Sequence, residues 1–117
     1  MMEVKVLSKR VTLTCKIKNV DKRIFERCLN NMLKHIDGTL IKNGDRYTLR
    51  SKRIGPFAMD VTLKNGQISI SGYDDYDGAT NAKRMIENFY IATEIEEEFN
   101  APIEMDEEGD ILLTVEV

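Results

Sequence analysis

Apolar and polar side chains alternate with a period of two along residues 11–18. Four apolar residues take every second position there, and Thr or Lys residues stand between them. This alternation is typical of a β-strand that buries one face. Val4 and Val6 alternate in the same way, so we expect an additional N-terminal strand within residues 1–10. The apolar positions of the first strand are Val11, Leu13, Cys15 and Ile17.

The period changes to that of an α-helix after Val20. Apolar residues then recur at spacings of three and four, which predicts an amphipathic helix. Asp21 is suited to the N-cap, and Gly38 is suited to the left-handed conformation that ends a helix. The apolar stripe of this helix consists of Phe25, Cys28, Leu29, Met32 and Ile36.

Two Lys-Asn-Gly triplets, at residues 42–44 and 64–66, each stand between runs of alternating side chains. Asn-Gly favours a type I′ turn, because both central residues of that turn need positive φ. The sequence therefore predicts two consecutive β-hairpins, with a break at Gly55-Pro56 between them.

A second amphipathic helix is predicted over residues 80–99, and a final hairpin follows Pro102. Four glutamates within residues 94–98 lie at the C-terminal end of this helix, where the helix dipole disfavours negative charge. We expect this end either to fray or to meet a cation from another element. The side chains expected in the core of the whole fold include Phe25, Leu29, Met32, Met85, Phe89, Leu113 and Val115.

These elements predict an α+β fold, in which a single antiparallel sheet built from hairpins carries two amphipathic helices on one face. The order of elements is β-α-β-β-β-β-α-β-β, and the length corresponds to a single domain over residues 1–117. No apolar run is long enough for a transmembrane helix, and the N-terminus lacks the apolar segment of a signal peptide. We therefore expect a cytoplasmic protein without membrane contact.

Charge is distributed unevenly along the chain. Residues 1–58 hold fourteen Lys or Arg and five Asp or Glu, whereas residues 59–117 hold three and fifteen. Such an asymmetry indicates either a molecule with a basic binding face or two halves that neutralise each other in the folded state. The second possibility is favoured, because in a small domain one sheet draws strands from both halves.

Candidate catalytic and metal-binding chemistry is sparse. Cys15 and Cys28 match no zinc or redox spacing, and His35 is the only histidine. The loop at residues 73–78 is rich in aspartate, but an EF-hand alignment places Tyr73 and Arg84 at the first and last ligand positions. The sequence therefore predicts no cofactor, no metal site and no catalytic residues, and we expect a protein that is not an enzyme.

One basic stretch is a candidate for contact with nucleic acid or another anion. Phosphate contacts need clustered cations, and base stacking needs an aromatic side chain on a sheet face. The RNP1 pattern of sheet-based RNA-binding domains is missing, and a charged strand that protects a sheet edge explains the same residues. The candidate contact residues are Arg46, Tyr47, Arg50, Lys52 and Arg53.

Several short stretches of the sequence match the pattern of a known family. They are residues 16–21, residues 61–66, Tyr90, Glu97, and residues 106–111 with Leu113 and Val115. Through them, about residues 12–117 resemble an uncharacterised family of small proteins, the hypothetical chloroplast reading frame thirty-five family. The resemblance implies the same α+β fold, and it brings no established activity, cofactor or catalytic residues.

The sequence thus favours a small, non-enzymatic domain that acts by binding another macromolecule. The expected partner is another protein or a second copy of the chain. The alternative is a nucleic-acid-binding protein that uses the basic N-terminal half. These two functions differ in one observable property, namely whether the basic and acidic side chains segregate on the folded surface.

Overall fold

The computed structural model describes residues 10–115, so the strand expected around Val4 and Val6 lies outside the described residues. Two helices and seven strands form in the predicted order. The elements are β1 (Arg10–Thr14), α1 (Lys22–Ile36), β2 (Gly38–Asn43), β3 (Arg46–Ser51), β4 (Met59–Lys64), β5 (Gln67–Tyr73), a short 3₁₀ turn (Asp75–Asp77), α2 (Gly78–Phe99), β6 (Ile103–Met105) and β7 (Ile111–Leu113).

The main sheet has five strands in the order β1-β5-β4-β3-β2, and every neighbouring pair is antiparallel. Both helices pack on one side of it, which confirms the predicted α+β class. The last hairpin differs in one respect. Strands β6 and β7 form a separate two-stranded sheet that packs against α2, rather than extending the main sheet.

The start of α1 is as the sequence predicts. Asp21 Oδ1 accepts hydrogen bonds from the backbone N–H groups of Arg23, at 2.8 Å, and Ile24, at 3.2 Å. The backbone N–H of Asp21 donates to the Tyr90 hydroxyl in α2, at 3.0 Å. The same residue therefore caps one helix and connects it to the other.

The end of α1 corrects the prediction for Gly38. Asp37 takes the left-handed conformation, with φ 53°, and Gly38 is already the first residue of β2. A Cβ atom at Gly38 would lie 2.6 Å from the carbonyl oxygen of Arg50. Glycine is needed here for the close approach of β2 to β3, and an aspartate can adopt the left-handed region that ends the helix.

The two Asn-Gly hairpins use different turns. In the β4–β5 turn both central residues, Asn65 and Gly66, have positive φ, which confirms the type I′ prediction. In the β2–β3 turn the central residues are Gly44 and Asp45, and only Gly44 has positive φ. That pattern belongs to a type II′ turn, with glycine at the first central position, so the predicted turn is displaced by one residue.

The core lies between the helices and one face of the main sheet. Phe25, Leu29, Met32 and Phe89 are fully buried, as the sequence predicts. Met85, Leu113 and Val115 are only partly buried, and the small sheet that contains β7 packs against α2 instead of joining the main sheet. The other fully buried large side chains are Ile36, Leu49, Ile54, Met59, Val61, Ile68, Ile70 and Ile86.

The acidic end of α2 meets cations from α1, which confirms one of the two expectations for it. Arg23 forms two parallel hydrogen bonds to the Glu97 carboxylate, at 2.6 and 2.9 Å. Arg27 contacts Glu97 as well and binds Glu96 at 2.7 Å. Basic side chains of the first half and acidic side chains of the second half therefore pair at the contact between the helices.

Neither of these two helices contains an apolar stretch that would cross a lipid bilayer.

Candidate functional site

The face of the main sheet that carries no helix is the candidate site, and we refer to it as the open face. Sixteen strand side chains project from it, since residues alternate between the two faces and the burial pattern identifies the outer set. Seven of the sixteen are Ser or Thr, four are cations and one is an anion. They are Arg10, Thr12, Thr14, Thr39, Ile41, Asn43, Arg46, Thr48, Arg50, Asp60, Thr62, Lys64, Gln67, Ser69, Ser71 and Tyr73.

The single anion that the described strands place on the open face lies at its centre and is already engaged. Asp60 accepts a hydrogen bond from the Thr48 hydroxyl, at 3.0 Å, and pairs with the Arg10 guanidinium, at 3.4 Å. A hydroxyl pair between Thr12 and Ser71, at 2.8 Å, lies beside it. Asp60 therefore joins side chains across β3, β4, β5 and β1 rather than offering a free negative charge.

The remaining cations of the open face are not neutralised in this way. Arg46, Arg50 and Lys64 are exposed, and none of them forms an ion pair with any residue in the range 10–115. Arg46 and Arg50 lie on β3 two positions either side of Thr48, so both point outward. Their charges are available to a ligand.

An aromatic pair borders the open face at one end. The rings of Phe57 and Tyr73 lie 5.3 Å apart at an angle of 59°, and the Arg10 guanidinium lies 5.8 Å from the centre of the Tyr73 ring. Phe57 is 36% exposed. A shallow cleft of about 470 Å³ lies next to it, and Arg50 and Lys52 contribute to its lining. Cationic and aromatic side chains therefore meet at this corner.

The five residues predicted as contacts are separated by the fold. Arg46 and Arg50 share the open face, and Lys52 is exposed in the loop that follows β3. Tyr47 lies on the opposite face of β3 and is only 4% exposed. Arg53 extends towards the last hairpin, where its Nη1 lies 3.6 Å from the Met105 sulfur. Only the first three of these residues can belong to one surface.

Burial of Tyr47 has a clear local cause. Its ring packs edge-on against Phe25 of α1, with ring centres 5.4 Å apart, and the Lys42 ammonium lies 5.6 Å above it. Burial raises the pKa of the Tyr47 hydroxyl, and the nearby Glu26 carboxylate adds to this effect. Tyr47 joins the sheet to α1 and cannot stack on a base.

Two acidic segments, residues 74–77 and residues 106–110, hold clustered carboxylates. Asp74 uses its carboxylate to cap α2, since Oδ1 accepts from the backbone N–H of Thr80, at 3.0 Å, and from its hydroxyl. In the turn between β6 and β7, carboxylate oxygens of Asp106, Glu108 and Asp110 lie within 4.8 Å of one another. This second group could accept a cation, but Asp106 Oδ1 already accepts two backbone N–H groups of its own turn.

Several residues of the open face were missed by the sequence reasoning. Tyr73 was assigned to a loop, and Lys64 was assigned only to its turn. Arg10 and Phe57 were not placed at a site. The signal that identifies such residues is the second set of positions in each alternating strand, opposite to the apolar set. Once the register of the sheet is known, these positions are seen to lie on one common face.

Comparison of the chain with protein-family models, with curated proteins and with solved structures found no match. The resemblance to the chloroplast reading frame thirty-five family therefore stays a prediction.

Proposed function

We propose that this domain is not an enzyme and that it binds single-stranded nucleic acid on its open face. One observation carries the proposal: among residues 10–115, the strands place four cations and one anion on the open face, and that anion is already paired. Arg, Ser and Thr side chains are among the groups that commonly contact phosphate and sugar. The open face presents all three.

The geometry favours a single strand over a duplex. Five strands spaced about 4.8 Å apart form a surface roughly 20 Å wide, and neither α1 nor α2 protrudes from it to enter a major groove. Single strands bind such surfaces through cations that follow the backbone and through aromatic rings that stack on bases. Phe57 and Tyr73 provide rings at one end, and Arg50, Arg46 and Lys64 provide the cations.

The acidic half of the chain does not oppose this arrangement. Glu96 and Glu97 are held by arginines of α1, on the helical side of the molecule. The acidic turn of the last hairpin belongs to the small sheet packed against α2, which is also on the helical side. This distribution supports a segregated basic face, which is the property that distinguishes the two functions expected from the sequence.

The first prediction tests the open face with labelled single-stranded oligonucleotides of random sequence. Affinity should fall with rising salt, with a slope of about −0.7 per phosphate neutralised, because binding releases counterions. Replacing both Arg46 and Arg50 with Gln should weaken binding to all sequences similarly and reduce the magnitude of the slope by about 1.4, since two phosphate contacts are lost. Fluorescence anisotropy over a series of salt concentrations gives both quantities.

The matched control replaces Lys34 and Arg84 with Gln. Both residues are exposed on the helices, and the pair removes the same net charge from the other side of the molecule. If this control weakens binding as much as the Arg46 and Arg50 changes, then binding reflects overall charge and the open face is not the site. Absence of binding at low salt would contradict the proposal directly.

Protein binding is the second candidate function, and the free edge of β2 is the observation that favours it. The strand borders β3 on one side only, and Ile41 at its middle is 64% exposed. Exposed strand edges bind proteins by accepting an additional strand. This candidate uses the backbone edge of β2 and, from the open face, the Ile41 side chain rather than the cations, so the two can be tested separately.

A further inference from the structure

Strand β2 is the last strand of the main sheet, and no residue in the range 10–115 pairs with its outer edge. It pairs with β3 over six residue positions, and no other described strand borders it. An edge of this length presents unpaired backbone groups and is open to pairing with a further strand. The opposite edge strand, β1, directly follows residues outside the described range. We therefore consider the edge formed by β2.

The hairpin register determines which backbone groups face outward. Asn43 and Arg46 flank the two-residue turn and form its hydrogen-bonded pair, so every second residue of β2 bonds to β3. Thr39, Ile41 and Asn43 therefore direct their N–H and C=O groups inward. Leu40 and Lys42 direct theirs to the free edge, where they can accept and donate four hydrogen bonds.

The side chains of β2 do not protect its edge from pairing with a further strand in the usual way. Lysine commonly keeps an edge strand from pairing, but Lys42 pairs with Glu26, at 3.3 Å, and lies over the Tyr47 ring. It is thereby held on the helical side of the sheet. Ile41, on the open face, remains exposed without an apolar neighbour to cover it.

We propose that the partner of this edge is a second copy of the same chain, paired antiparallel through β2 about a two-fold axis at Ile41. In this register Ile41 faces its own equivalent, Leu40 faces Lys42 and Thr39 faces Asn43. Leu40 and Lys42 bond reciprocally, and no like charges face each other within the strands. Asp37 and Asp45 meet just beyond the strand ends, which limits the affinity. The interface is isologous, as is usual for a homodimer.

The dimer has a defined architecture. The two five-stranded sheets, related by a two-fold axis perpendicular to them, form one continuous ten-stranded sheet. Both open faces lie on the same side of this sheet. The inference names the partner for the second candidate function and does not depend on the nucleic-acid proposal. It is tested without nucleic acid, so its failure would leave that proposal unchanged.

The second prediction is that the purified protein shows a reversible, concentration-dependent monomer–dimer equilibrium in sedimentation velocity. Ile41→Lys should raise the dissociation constant by roughly tenfold or more, because two ammonium groups replace an apolar pair. Leu112→Lys is the matched control, since Leu112 is also an exposed strand residue, at 50%, and lies in the small sheet. It should leave the equilibrium unchanged.

Cross-linking tests the register itself. Opposed residues in a non-hydrogen-bonded antiparallel pair have Cα atoms about 4.5 Å apart, which is within the range for a disulfide. Ile41→Cys should therefore give a covalent dimer on mild oxidation, whereas Leu112→Cys should stay monomeric on a non-reducing gel. The two native thiols are buried and will not contribute.

Three outcomes would overturn the inference. The first is a wild-type protein that stays monomeric at all concentrations. The second is a dimer that persists unchanged in Ile41→Lys, which would place the interface elsewhere. The third is equal cross-linking of the two cysteine variants. Because Ile41 is exposed, its variants should keep the circular dichroism spectrum and melting temperature of the parent, so each result can be interpreted.

Discussion

Cys15 and Cys28 show how burial controls chemistry at the scale of single residues. Both thiols are free and buried. Burial raises the pKa of Cys15 to about 12, with a further contribution from the Glu87 carboxylate. Burial also raises the pKa of Cys28, whose thiol donates to the backbone carbonyl of Ile86. The reactive thiolate form is therefore scarce at neutral pH.

The third prediction follows from these thiols. With a pKa near 12, only about one Cys15 in ten thousand is a thiolate at pH 8. The native protein should therefore react with Ellman's reagent only as fast as it opens, and two thiols should react at once in denaturant. Raising the reagent concentration should not speed the native reaction once opening limits it. A rapid reaction of one thiol in the native state would contradict the assignment.

Residue-scale prediction from sequence was accurate where periodicity is strong. Phe25, Leu29 and Met32 occupy one stripe of α1, and all three are fully buried. Tyr47 shows the limit of the method. Its place among basic residues indicated a contact surface, yet strand alternation assigns it to the opposite face from Arg46 and Arg50. Composition of a short stretch carries no information about which side of a strand a residue occupies.

The start of α2 depends on one side chain among several aspartates. Asp74 caps the helix through Thr80, whereas Asp77 stands at the first helical turn without a side-chain cap hydrogen bond. Both residues carry the same charge near the positive end of the helix dipole. The hydrogen bond, rather than the charge, distinguishes them.

The fourth prediction separates these two contributions. Asp74→Ala should lower the free energy of unfolding by about 0.5–2 kcal/mol, since the Thr80 backbone N–H loses its acceptor. Asp77→Asn removes the same charge, and asparagine tolerates the left-handed conformation found there, so it should cost much less. Urea titration measures both changes. Equal losses would show that charge alone stabilises the helix start.

Element boundaries were predicted less well than elements. The predicted first strand ends at residue 18, whereas β1 ends at Thr14, although Cys15 still donates to the carbonyl of Ile68. Lys16 then donates its backbone N–H to the Glu87 carboxylate in α2. The alternating pattern continues past the end of β1 because Cys15 and Ile17 still turn towards the core, where the chain runs beside α2. Sequence periodicity does not reveal which partner ends a strand.

At the scale of the whole molecule, the two oppositely charged halves meet along α1 and α2. The bidentate contact between Arg23 and Glu97 joins residues 74 positions apart. Hydrogen bonding by Arg23 holds the pKa of Glu97 below its ordinary value, and Arg27 adds to the effect. The contact therefore makes folding depend on pH.

The fifth prediction gives the sign of that dependence. A carboxylate whose pKa is lowered by folding stabilises the native state above its unfolded value of about 4.3, and this stabilisation is lost as pH falls through the folded value. Glu97→Gln should therefore make stability less sensitive to pH below about 4.5. Thermal unfolding in a pH series measures the change.

Glu98→Gln is the control for that series. Glu98 is exposed next to Glu97 and forms no ion pair with the residues described by the structure. Its substitution should leave the acid-dependent part of the curve close to that of the parent. If both variants flatten the curve equally, then the general acidity of the α2 end, rather than the pairing with α1, sets the pH dependence.

The sequence alone determined the class of fold and the order of its elements. Periods of 2 and 3.6 in the apolar positions, the Asp21 cap and the glycine-containing turns are local signals, and local signals are sufficient for local structure. They also identified the apolar stripe of α1, because a helix that buries one side must repeat its apolar residues at that spacing.

The tertiary structure decided which charges meet and which remain free. The strand order β1-β5-β4-β3-β2 brings Arg10 beside Asp60 and places β2 at an edge, and it leaves Arg46 and Arg50 without an ion pair among residues 10–115. None of these relations follows from spacing along the chain, since Arg10 and Asp60 are 50 residues apart. Electrostatic and edge contacts depend on distance in space, and only the folded sheet sets those distances.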